Sequence, residues 1–104
     1  FEDFYFSACT VDYGRMSEAV KPLVDLMNRT DRVRVISPGT DFSFSIKGIG
    51  AVPCTGERNI PDGECFTAPV RESVNGTVQF NTPSLHLGTE FKGIRYVIRD
   101  GKII

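Results

Sequence analysis

The sequence predicts an α+β fold, with one main amphipathic helix and a mostly antiparallel set of short strands. Three observations carry this. Apolar residues recur at intervals of three and four from Met16 to Met27, the spacing of a helix face. Phe42, Phe44 and Ile46 alternate with Ser43, Ser45 and Lys47, the period of a strand with one buried face. Turn dipeptides, Asn75-Gly76 and Asp100-Gly101 among them, separate further β-prone runs.

Taken in order, Phe4 to Val11 is aromatic and β-prone, which predicts a strand. Asp12 is a candidate N-cap for the helix that follows, whose stripe of Met16, Ala19, Val20, Leu23, Leu26 and Met27 is read as core. Pro22 removes one backbone hydrogen bond, so it kinks this helix or lies near its start. Asn28 to Asp31 closes it. Val33 to Ile36 is a short strand, ended by the Ser37-Pro38-Gly39-Thr40-Asp41 turn, and the alternating strand over Phe42 to Lys47 comes next. Gly48 to Pro53 is looser. No Gly-Lys-Ser/Thr and no helix follow it, so it is not a phosphate cradle. Asn75-Gly76 predicts a hairpin between runs 70–74 and 77–80. Leu85 to Glu90 is a short edge or turn. Ile94 to Arg99 is a strand that Asp100-Gly101 turns back on itself.

At 104 residues, 40% of them hydrophobic, residues 1–104 are expected to form one domain. Lys and Arg (12) nearly balance Asp and Glu (13) and are dispersed, so no nucleic-acid or membrane footprint is expected. No apolar run approaches the ~20 residues of a membrane span. Cys9, Cys54 and Cys65 are odd in number, contain no CxxC pair and suggest free thiols in a reducing compartment. A start at Phe1 and a return strand of barely three residues after Gly101 are read as an internal segment of a longer protein.

The stretch from Gly56 to Pro69 organises the chemistry. Its loop is built from Gly, Asn, Pro, Asp and Gly, and Asp62-Gly63 is a strong turn dipeptide. Glu64 follows where the loop gives way to a strand over Cys65 to Thr67. A carboxylate there is held by a rigid element and faces open space, which suits a metal ligand, though on spacing alone a solvated glutamate is the more ordinary reading. Asp62 is assigned to the turn, and Glu57 to solvent or to Arg58. His86, the only histidine, reads as a surface residue, and Cys65 as a packed side chain.

The run Asn59-Ile60-Pro61, Gly63-Glu64, Phe66-Thr67-Ala68-Pro69, with Val70 to Gly76 behind it, resembles the thermophilic-aminopeptidase family of metallopeptidases, the aminopeptidase T, S and II group. The likeness extends over most of the chain. It implies a cytoplasmic exopeptidase that removes N-terminal residues from peptides, a homodimer, with two divalent metal ions (zinc or cobalt) activating a bridging water. By that resemblance Glu64 is a metal ligand. The remaining ligands, a second glutamate, histidines and an aspartate, have no counterpart in these 104 residues, and His86 matches none of them. Cys65 stands where a valine is commoner. The segment alone is therefore expected to hold no metal and to be inactive, with no catalytic residue of its own. The rival reading is a non-catalytic binding or scaffold domain in which the Pro-x-Gly-Glu loop is structural.

Overall fold

Local sequence explains the first helix better than its β-propensity does. In the computed structural model, which describes all 104 residues, Glu2–Cys9 forms helix α1, not the expected strand. Glu2 and Asp3 sit in its first turn, where acidic side chains favour the positive end of the helix dipole. The Ser7 hydroxyl donates to the Phe4 carbonyl at 2.8 Å and the Thr10 hydroxyl to the Phe6 carbonyl at 2.8 Å. These bonds fold polar side chains back onto the helix.

Helix α2, Tyr13–Arg29, begins as the sequence predicts: the Asp12 carboxylate accepts the Arg15 N–H at 2.9 Å. Pro22 lies inside it, and Thr30 is the C-cap. Its half-buried stripe is Tyr13, Met16, Ser17, Val20, Val24 and Met27. That corrects the expected core. Ala19, Leu23 and Leu26 face outward, the two leucines 47% and 49% exposed. The cause is the narrowness of what α2 covers, a ribbon of only two strands, β3 (Val52–Cys54) and β4 (Glu64–Phe66).

Residues 1–30 and 47–68 form one compact unit and residues 31–46 and 69–104 another. The second is built on a five-stranded sheet that includes β1 (Arg32–Ser37), β2 (Thr40–Ser45) and β5 (Asn75–Gln79). Strands β8 (Arg95–Arg99) and β9 (Lys102–Ile103) complete it in the order β1-β2-β5-β8-β9, every pair antiparallel. The Phe42 and Phe44 rings stack on one face of β2, centroids 5.5 Å apart, as the alternation predicts. Ile46, just beyond β2, is the one buried apolar side chain, 5% exposed, and its N–H donates to the Asp31 carbonyl at 2.7 Å. Buried Thr40 ties β2 to β5: its hydroxyl accepts the Gln79 N–H at 2.9 Å.

Asn75-Gly76 does not make a hairpin. Arg71–Ser73 is a single 3-10 turn, and Asn75-Gly76 opens β5, where Gly76 pairs with Phe42 on one side and Ile98 on the other. Gly76 has φ +129°, and a Cβ there would press on the Asp41 carbonyl oxygen and lie 2.5 Å from the Phe42 Cα. Glycine is used for close strand approach, not for a turn. The turn at Asp100-Gly101 does form, with φ +48° and +72°, as does a separate hairpin of β6 (Ser84–His86) and β7 (Thr89–Phe91). No helix is long and apolar enough to cross a membrane.

Candidate metal-ligand loop

The ribbon fixes which way each side chain points. Val52 pairs with Phe66, Pro53 with Cys65 and Cys54 with Glu64. Side chains alternate along a strand, and Cys65 turns to α2, its Sγ 3.5 Å from the Met27 Sδ. Glu64 and Phe66 therefore share the opposite face with their cross-strand partners Cys54 and Val52. On that side Val52, Cys54 and Phe66 form the apolar wall of a cavity of about 240 Å³, with Arg58, Asn59 and Asp62 at its polar side. Glu64 itself borders a neighbouring, more open recess of about 410 Å³ with Asn59, Pro61, Asp62 and Gly63.

The connecting loop is held by two of its three carboxylates. Glu57 turns back on Thr55. Its Oε2 accepts the Thr55 N–H at 2.9 Å and its Oε1 the Thr55 hydroxyl at 2.7 Å. Glu57 is exposed and feels the Arg58 charge, as expected, but its oxygens are taken up by Thr55. The Thr55 hydroxyl and, behind it, the Thr55 N–H hold the Glu57 carboxyl below its usual range. Thr55 is 5% exposed, so an unpaired hydroxyl there would be costly. Asp62 serves the turn, as expected from the dipeptide. Its Oδ2 accepts the Gly56 N–H at 2.8 Å and its Oδ1 the Gly63 N–H at 2.9 Å. The loop contains the Ile60-Pro61 cis peptide.

Helix α2 presses on this loop at both of its glycines. A Cβ on Gly56 (φ +98°) would lie 2.8 Å from the Tyr13 ring, and one on Gly63 (φ +139°) would lie 3.3 Å from the end of Met16. Both positions combine a positive φ with close approach, which only glycine accepts without strain.

Glu64 is left as the loop's exception. It is exposed, accepts no hydrogen bond and pairs with no cation, while the oxygens of Glu57 and Asp62 are engaged. Its charge is felt by Cys54, whose thiol is pushed up first by burial and then by the carboxylates of Asp62, Glu64 and Glu57. Cys54 lines the cavity wall with Val52 and Phe66. All three cysteines are free thiols. His86 lies exposed on the β6–β7 hairpin, in the other unit.

No group of three or more His, Cys, Asp or Glu side chains converges to hold a metal ion. The donor chemistry nevertheless fits a contribution of one hard oxygen ligand: an ionisable carboxylate, free of internal partners, on a pinned strand end bordering a recess. The sequence places Glu64 at the loop-to-strand junction, Asp62 in the turn and Cys65 on the packed side, where the structure has them. Sequence reasoning missed Thr55, whose signal was a Thr two residues before a Glu, and the Val52–Cys54–Phe66 wall, which depends on strand register.

Comparison with known proteins gives the same direction. A family profile described as thermophilic metalloprotease (M29) matches residues 6–104. Aminopeptidase 2 of Geobacillus stearothermophilus is 29% identical, over 79% of this chain and 22% of that protein. The chain thus spans about a fifth of the length of the curated relative it matches.

Proposed function

This chain belongs to the thermophilic metalloprotease family M29, and from that premise we propose that it supplies one wall of the metal centre of an aminopeptidase. The observation that carries the reading is Glu64, the loop carboxylate without a partner, on the pinned end of β4 beside a recess. Glu64 would help to hold one of two divalent metal ions, zinc or cobalt, and such ions would supply polarisation of a peptide carbonyl and a bound water of lowered pKa.

The chain's own residues do the holding. Glu64 offers two anionic oxygens, and because no internal donor competes for them, binding costs no broken hydrogen bond. Thr55, Glu57 and Asp62 keep the loop fixed, so little conformational entropy is lost when Glu64 binds. The other ligands come from the remainder of a longer, homodimeric, cytoplasmic enzyme acting on peptide N-termini. One carboxylate holds zinc too weakly alone, so residues 1–104 in isolation are inactive.

The test is Glu64→Ala in the full-length protein. The reading expects loss of aminoacyl-substrate hydrolysis with an unchanged circular dichroism spectrum. Full activity in this variant would support the scaffold reading instead, in which the loop is purely structural.

A further inference from the structure

We propose that Asp62 is a positioning residue for the metal centre: it sets the backbone from which Glu64 projects and does not itself touch the ion. The inference rests on Glu64 being a ligand. Its independent support is a clasp. One oxygen of Asp62 takes the Gly56 N–H, at the loop's entrance, and the other takes the Gly63 N–H, immediately before Glu64. A single carboxylate therefore joins the two ends of the loop and fixes the peptide plane that leads into β4.

Both anchored amides belong to glycines at positive φ, against which Tyr13 and Met16 of α2 lie close. Without the clasp, Gly63, the residue with the most conformational freedom, is held beside Glu64 by these contacts and by the strand pairing of Glu64 with Cys54 that follows it. Glu57 does not substitute, because both its oxygens are committed to Thr55. Asp62 is also unlike Glu64 in having no oxygen left without a donor. Charge-assisted bonds of this kind, from backbone N–H to carboxylate, are among the stronger ones.

The experiment is zinc titration of the full-length protein against a chromogenic chelator, for the parent and for Asp62→Ala, Asp62→Asn, Glu64→Ala and Thr40→Ala. Deuterium exchange of the peptide covering residues 54–66 is followed in parallel. Asp62→Ala is expected to keep the zinc stoichiometry but weaken the affinity about 10–100-fold, the usual cost of removing a residue that orients a ligand. Exchange across the loop should quicken. Asp62→Asn keeps an acceptor for one amide only and should fall between parent and Asp62→Ala. Thr40→Ala loses a buried hydroxyl in the other unit, lowering stability without moving zinc affinity, which separates positioning from general destabilisation.

An Asp62→Ala affinity within about twofold of the parent, alongside a loss in Glu64→Ala, would overturn the positioning role alone. Loss of a whole zinc equivalent in Asp62→Ala would make Asp62 a ligand and also overturn it. Unchanged zinc binding in Glu64→Ala would remove the reading on which the inference rests.

Discussion

Gly56→Ala probes the packing of helix on loop most sharply. The new Cβ would stand 2.8 Å from two ring atoms of Tyr13 and 3.3 Å from a third. Carbon atoms prefer about 3.5–4.0 Å, so the ring must retreat by roughly 1 Å. It is poorly placed to do so. Tyr13 opens α2 directly after the Asp12 cap, is half-buried, and its hydroxyl donates to the Ala8 carbonyl at 3.4 Å. Overpacking of this kind costs about 1–3 kcal/mol. Holding alanine at φ +98° adds about 1–3 kcal/mol more, giving a destabilisation of about 2–6 kcal/mol. Urea unfolding of Gly56→Ala, Tyr13→Ala and the double variant measures the two parts separately. Removing the ring should recover the steric part, so the double-mutant cycle should show a coupling of about 1–3 kcal/mol while the φ strain persists. Additivity within about 0.5 kcal/mol would refute the claim that Tyr13 and the Gly56 backbone press on each other.

Two further outcomes follow from the same geometry. Glu57's carboxyl is held below its ordinary value of 4.5, so the Thr55–Glu57 bonds stabilise the fold above that pH and lose their effect as pH falls through the lowered value. Thr55→Val should therefore destabilise clearly at about pH 7 and progressively less below pH 4.5, as read by urea midpoints across the range. A gap that stays constant with pH would contradict the assignment. Gly76→Ala puts a Cβ against the backbone of β2 in the middle of the five-stranded sheet, 2.5 Å from the Phe42 Cα, at φ +129°. Strain and overpacking together predict a loss of about 3 kcal/mol or more in equilibrium unfolding, whereas a loss under about 1 kcal/mol would mean that the strands separate freely there.

What was legible in the sequence was what local pattern decides. The cap at Asp12, the alternation through Phe42 and Phe44 and the turn at Asp100-Gly101 are each written within a few residues, and each formed. Two misreadings have a common cause, which is that an intrinsic preference yields to its surroundings. The aromatic run at Phe4 to Phe6 favours a strand, but no partner strand pairs with it, and acidic residues at its start with Ser7 and Thr10 bonding back favour a helix. Asn75-Gly76 favours a hairpin, but two neighbouring strands claim it as a ladder position.

The candidate site divides in the same way. The position of Glu64 at the start of β4 was legible because a proline-and-glycine loop leads into it, and that of Asp62 because Asp-Gly marks a turn. That Asp62 reaches six residues back to Gly56, that Glu57 is consumed by Thr55, and that Val52, Cys54 and Phe66 share Glu64's face all depend on register and loop closure. Those are settled only once the ribbon is folded. The outward-facing Leu23 and Leu26 belong here too. Helical spacing marks which residues are apolar, and the width of the ribbon beneath decides which of them are covered.

The claim that Glu64 faces a metal is tested most directly by anomalous diffraction from zinc-loaded crystals of the full-length protein. The account predicts a zinc peak about 2.0–2.2 Å from a Glu64 carboxylate oxygen, with Asp62 still bonded to the Gly56 and Gly63 amides. Zinc bound elsewhere, with the Glu64 carboxylate paired to a lysine or arginine of the chain, would contradict it.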